Sequence, residues 1–222
     1  MVLRPGVLAR RPLRAFLVGL LVLSSIVAIE GAALAAKGPR ITSLRLSPDH
    51  LVEGSPVTAV GTLSREVDAD EVIIQEWRAE HWWTVRRAPV YGRAFQTTFT
   101  PKETGSGVIR ALIPGLNGRG QWIAVLTVFR ETEATWYGPG FYGQSTACGQ
   151  TYDDQILGVA HRSLPCGTNV TFFFNGVVLT VPVIDRGPYS TADWDLSAET
   201  ARRLGFSGRQ KVGVLIAVEP GE

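Results

Sequence analysis

Val170-Thr171-Phe172-Phe173-Phe174-Asn175-Gly176-Val177-Val178-Leu179-Thr180-Val181-Pro182-Val183 is the stretch on which the fold turns. Two runs rich in β-branched and aromatic residues flank Asn-Gly, the pair favoured where both central residues of a two-residue turn need a left-handed backbone. The stretch therefore reads as a β-hairpin. It leads into Ile184-Asp185-Arg186-Gly187-Pro188-Tyr189, which puts a carboxylate at the end of the second strand. Downstream, Ser197 stands where it can cap a helix that Gly205 ends, with Glu199 in the first turn and Arg202 and Arg203 in the last. Gln210 to Val218 is a final apolar strand.

Upstream the chain changes character. Arg4, Arg10, Arg11 and Arg14 precede an apolar run from Ala15 to Ile29, and Ala33-Leu34-Ala35 follows. This is the layout of a secretory signal peptide. The run is short for a bilayer span, which takes about 20 residues. Residues 1–35 are thus expected to be cleaved on export, leaving no membrane span and an envelope or secreted protein. Without the four basic residues and Glu30 of that segment, the 22 basic and 20 acidic residues become 18 and 19. That balance does not point to nucleic acid, which calls for a clustered basic face.

Residues 36–130 read as short strands between turn signals. Val57 to Val60, Glu71 to Trp77, Ala94 to Thr100, Val108 to Ile113 and Trp122 to Val128 are separated by Pro48-Asp49, Glu53-Gly54, Tyr91-Gly92, Glu103-Thr104-Gly105 and Asn117-Gly118. Regular spacing without helical periodicity indicates an all-β sandwich. Within Glu71 to Trp77, Val72, Ile74 and Glu76 share one face. Trp77, Trp82, Trp83 and Trp122 are expected to fill the core, sugar stacking being the alternative, with one of the neighbours Trp82 and Trp83 turned to solvent. Gly61-Thr62-Leu63, Trp82 with Val85, Gly92 to Phe95 and Arg110-Ala111 resemble motifs of bacterial immunoglobulin-like domains. The boundary is expected near Glu131-Thr132-Glu133, with no Pro or Gly-Ser linker.

Residues 131–222 carry five motifs in order: Ala134-Thr135-Trp136-Tyr137-Gly138, Thr146 to Asp153 (TACGQTYD), Ala160 to Thr168 (AHRSLPCGT), Val183 to Tyr189 (VIDRGPY), and Asp195-Leu196-Ser197 followed by Ala201 to Gly205. Together these resemble the rare lipoprotein A (RlpA) family, and the resemblance implies a six-stranded double-psi β-barrel with a short helix. The family includes lytic transglycosylases that cut peptidoglycan glycan strands. Related barrels occur in expansins, which loosen cell-wall polysaccharide without hydrolysing it. The chain is therefore expected to act on peptidoglycan as a monomer without a cofactor, the alternative being a non-catalytic, expansin-like binding module.

Cleavage needs a carboxylic acid to protonate the glycosidic oxygen. In a lytic transglycosylase one carboxyl suffices, because the substrate's own 6-hydroxyl attacks. Asp195, in Asp-Leu-Ser, and Asp185, in Asp-Arg-Gly-Pro, are the candidate catalytic carboxylates, with His161 as an orienting partner. Gln150, Tyr137, Trp136, Tyr189, Trp194 and Arg186 are the candidate substrate-binding residues. Gln150 departs from the family pattern, which has Glu there; a carboxamide cannot supply the proton. Cys148 and Cys166, an even count in an exported chain, are expected to pair. His50, His81 and His161 are scattered without ligand spacing, so no metal is expected.

Overall fold

The computed structural model describes residues 38–65, 69–116 and 120–216. The signal-like segment 1–35, the Asn117-Gly118 turn and the last residues of the final apolar run lie outside the described residues.

The first eight strands are β1 Ile41–Ser47, β2 His50–Val52, β3 Val57–Leu63, β4 Glu71–Arg78, β5 His81–Tyr91, β6 Ala94–Phe99, β7 Gly105–Leu112 and β8 Trp122–Tyr137. One sheet runs β1-β3-β6 and takes in the end of β5, where Val90 and Tyr91 pair with Phe95 and Ala94. The other runs β5-β4-β7-β8, with β2 parallel to β8 at its far edge. The two sheets pack face to face as a β-sandwich. Its core follows from strand alternation: Val57, Ala59 and Leu63 from one sheet meet Val72, Ile74, Ile109 and Ala111 from the other.

The tryptophans do not fill that core. Trp77, Trp83 and Trp122 are 42%, 50% and 44% exposed. Parity explains Trp77: Val72, Ile74 and Glu76 take the inward positions of β4, so Trp77 points out. There it meets Trp82 at 5.1 Å between centroids, and the Arg110 guanidinium covers Trp82 at 4.0 Å. Trp83 lies on a sheet edge near the end of a hairpin, with Arg78 over its ring.

Strand β8 continues without a break through Glu131-Thr132-Glu133. Residues Trp122 to Val128 pair with β7, whereas Arg130 to Tyr137 pair with two barrel strands. The remaining elements are β9 Val159–Ala160, β10 Asn169–Phe174, β11 Val177–Asp185, β12 Trp194–Ser197, α1 Ala198–Leu204 and β13 Gln210–Ile216. Pairing runs β8-β12-β9-β11-β10-β13 and back to β8, a closed six-stranded double-psi barrel. Closure leaves no free sheet edge within the ring. The hairpin at Asn175-Gly176 is a two-residue turn with φ of 48° and 81°, as the sequence predicts. Ser197 caps α1 by accepting a hydrogen bond from the Thr200 amide, and Gly205 ends it at φ 67°. Val159, Phe172, Val183, Trp194 and Leu196 fill the barrel.

At the junction, Phe129 of β8 stacks on Phe173 of β10 at 5.1 Å, with His50 of β2 against both rings. Gly213 of β13 lies under this stack: a Cβ there would stand 2.7 Å from the Phe129 Cβ and 3.1 Å from Val52. Cys148 and Cys166 form a disulfide across 18 residues, tying the turn at Ala147 to the loop before β10.

Two predictions follow from the packing. Glu76 is only 5% exposed, and its Oε2 has no hydrogen-bond partner among the described residues. Burial raises its pKa, Arg78 opposes the shift, and Glu103 adds to it. The fold thus favours the protonated form: it is least penalised at low pH and loses stability as pH rises through the raised value. Glu76→Gln should raise the melting temperature, and by more at pH 8 than at pH 4; an equal or negative change at both would contradict this. Replacing both cysteines by Ser should cost about 3 kcal/mol in chemical denaturation, the loop-entropy value for a loop of this size.

Candidate functional site

The site is built on one row of residues across four adjacent barrel strands. Asp185 on β11 is in register with Ala160 on β9, Ala160 with Asp195 on β12, and Asp195 with Thr135 on β8. A register shift at Val183/Asp185 lets β11 reach this row. The methyl of Ala160 stands between the two carboxylates and leaves a gap that a larger side chain would fill. A cavity of about 130 Å³ occupies it, lined by Tyr137, Phe141, Ala160, Asp185, Arg186, Tyr189 and Asp195 among others.

Alternation along β12 sends Trp194 and Leu196 into the barrel core and Asp195 the other way, onto the face covered by the segment between β8 and β9. That segment begins with a 3-10 turn, Pro139–Phe141. It is pinned by Tyr152, whose hydroxyl donates to the Tyr137 carbonyl at 2.8 Å and accepts from the Ala198 amide at 2.9 Å. The rings of Tyr137 and Tyr152 stack at 4.5 Å, and Phe141 meets Tyr137 edge-on.

The two carboxylates differ in environment. Asp195 Oδ1 accepts one hydrogen bond, from the Thr135 hydroxyl at 2.8 Å. Burial raises its pKa, the Thr135 bond partly offsets that, and the nearby Asp185 adds to the rise. Asp185 Oδ1 accepts two backbone amides, those of Ala147 and Arg186, each at 2.8 Å. These two bonds fix the orientation of the Asp185 carboxyl group. The Ala147 amide lies in the turn that the disulfide fastens.

The remaining sequence candidates separate into groups. Tyr137, Tyr189 and Arg186 line the carboxylate cavity. Tyr189 is 90% exposed, and Tyr137 is buried with its hydroxyl unpartnered among the described residues. Trp136, the neighbour of Tyr137 on β8, is partly exposed, and its ring lies over Gly138, where a Cβ would meet it at 2.5 Å. Gln150 is exposed. Its backbone closes the Ala147 turn through two bonds with Thr146, and its side chain makes no hydrogen bond among the described residues. His161 and Trp194 are not in the cavity. Their rings meet at 4.5 Å and line a separate cleft of about 680 Å³ with Asp193, Thr132 and Gly105. His161 Nδ1 accepts the Ser163 and Leu164 amides, and burial with Arg162 and Arg186 nearby lowers its pKa.

Sequence reading missed Thr135, Ala160, Phe141 and Tyr152. For Thr135 a signal was present, since it precedes Tyr137 by two on a strand and so shares its face. For Ala160 nothing in the sequence says that a small residue will fall between two acids.

The comparisons with known proteins concern this same half. Residues 130–216 match the model of the lytic transglycolase family. The probable endolytic peptidoglycan transglycosylase RlpA of Synechocystis sp. is 47% identical over 76 residues, 33% of this chain and 24% of that protein. The endolytic peptidoglycan transglycosylases RlpA of Campylobacter jejuni and Pseudomonas aeruginosa are 38% identical over 96 residues and 46% identical over 77. Those matches cover 41% and 33% of this chain, and 35% and 23% of those proteins. The chain thus spans about a quarter to a third of the length of these curated relatives. Among solved structures the likeness is slight: a titin I9–I11 tandem matches at TM-score 0.29 and 9% identity, over 82% of this chain and 57% of that one. The segment from 130 to 216, whose barrel carries both carboxylates, is thus similar to the lytic transglycolase family and to the RlpA proteins.

Proposed function

We propose that this chain is an exported cell-envelope protein that cleaves peptidoglycan glycan strands by a lytic transglycosylase reaction, with Asp195 as its acid and base. The observation that carries the reading is a half-buried Asp195 with a raised pKa, sharing one cavity with Asp185. The names of the relatives, which act on peptidoglycan, support the same substrate class. In this reading residues 1–35 direct export, 36–130 form the sandwich module and 131–222 the barrel module, working as a monomer.

The protonated Asp195 carboxyl gives its proton to the glycosidic oxygen as the C1–O bond breaks. Asp185, positioned by the Ala147 and Arg186 amides, faces the positive charge that develops at the sugar ring. The 6-hydroxyl of the same sugar then attacks C1, and its proton returns to the Asp195 carboxylate. Proton donor and acceptor are one group, no water is consumed, and the product is a 1,6-anhydro sugar. Tyr189 and Arg186 border the cavity as sugar contacts, whereas Trp136 does not line it. His161 and Trp194 line the separate, larger cleft and take no part in the proton transfer.

A second reading is favoured by one observation, Gln150 at the family's Glu position on the turn that holds Asp185. It makes the chain an expansin-like module that binds cell-wall polysaccharide without cutting it.

Digestion of purified sacculi by the exported chain should release 1,6-anhydro-muramyl products detectable by mass spectrometry. Asp195→Asn and Asp185→Asn should each lower release by at least a hundredfold with the fold retained, in line with the effect of losing a general acid. Because Asp195 must be protonated, the rate should fall as pH rises through its raised pKa. Binding to insoluble peptidoglycan with no anhydro product at any pH, together with activity gained by Gln150→Glu, would establish the binding module instead.

A further inference from the structure

Tyr137 carries a hydroxyl that the fold buries and leaves unpaired. The oxygen has no hydrogen-bond partner among the described residues, although buried polar groups are nearly always paired. The neighbouring tyrosine shows the usual outcome, since Tyr152 uses its hydroxyl twice. The Tyr137 ring cannot easily turn away to find a partner. It is stacked on Tyr152, abutted by Phe141, and anchored on a strand whose carbonyl is itself bonded.

Tyr137 is part of the wall of the carboxylate cavity, with its hydroxyl covered. Tyr137 lines it with Asp185 and Asp195, and both carboxylates act electrostatically on the phenol. On β8, Tyr137 is two residues from Thr135, so both side chains lie on one face. Thr135 is in register with Asp195, and Tyr137 with Ser197. Thr135 already donates to Asp195 Oδ1. Asp195 Oδ2 accepts no hydrogen bond among the described residues, so one acceptor and one donor without partners belong to residues that line the same small cavity.

We propose that Tyr137 is a positioning residue for Asp195: its hydroxyl is held ready to donate to the second carboxylate oxygen once the proton has left for the substrate. A rotation of the carboxyl about its Cβ–Cγ bond brings that oxygen round while the clamped ring stays still. The phenol itself keeps its proton, because burial and two nearby carboxyl groups oppose its ionisation. It therefore acts as a donor and not as a base. The inference rests on the role given to Asp195 above, and it explains why an apolar Phe does not occupy this buried place.

The test is Tyr137→Phe, which keeps the stacked ring and removes the oxygen. The groups facing Asp195 are Asp185 and Arg186 at the end of β11, Tyr189 beyond it, Thr135 and Tyr137 on β8, and Tyr152 on the covering segment. All but Tyr137 are unchanged in the variant. The Asp195 carboxyl carbon is titrated by NMR in the full chain without any glycan. A hydrogen bond to the anion lowers a carboxyl pKa, so its loss should move the midpoint up by half a pH unit or more, with thermal stability unchanged or raised. With sacculi as substrate, anhydro-product release should fall about tenfold, with its alkaline limb moved to higher pH. An unmoved midpoint overturns the proposal, as does a lowered melting temperature with no change in the titration. The titration does not depend on turnover. A wild-type chain that cuts nothing while the midpoint still moves would refute the cleavage reading and leave the Tyr137–Asp195 coupling standing.

Discussion

Every other arrangement in the molecule depends on the hydrogen-bond ladder of β8. Its first half completes the second sheet of the sandwich and its second half is a stave of the barrel. A strand paired along both halves cannot swivel at its middle without breaking backbone bonds, each expensive to leave unmade away from water. The Phe129–Phe173 stack and the close approach at Gly213 fill the space beside that midpoint. The same strand supplies Thr135 and Tyr137 to the site, so the geometry around Asp195 is inherited from a ladder that begins in the sandwich.

The two carboxyl groups stand one small residue apart, and the fold gives them different hydrogen-bond partners. Asp185 sits where backbone amides converge at a strand end fastened by the disulfide turn. Asp195 sits mid-row, half-covered, with a single hydroxyl donor. Burial raises the pKa of Asp195, its one hydroxyl donor partly offsets the shift, and the neighbouring Asp185 adds to it.

The hairpin at Asn175-Gly176, the capped helix from Ser197 to Gly205 and the strand alternation at Val72, Ile74 and Glu76 were legible because each rests on local backbone chemistry. The barrel motifs were legible as a set, and they named both carboxylates. Less legible was anything decided by tertiary register. Trp194 adjoins Asp195 in sequence and looks like a groove residue, yet one step along a strand reverses the face, and it is 4% exposed in the core. His161 follows Ala160 and is carried away from the cavity by the same rule. The sandwich tryptophans looked like core because they are large and apolar; parity and edge position turned them out. Ala160 carried no signal, since its importance lies in the atoms it lacks.

The unbroken course of β8 also bears on how such a protein can be taken apart. Modules joined by a linker can be exchanged by recombination at the linker, each half keeping its own surface. Here a cut at residue 130 would divide one strand, leaving the sandwich without the continuation of its edge and the barrel with the bare flank of Gly213 exposed. A division that spares both halves would have to leave the whole of Trp122–Tyr137 intact.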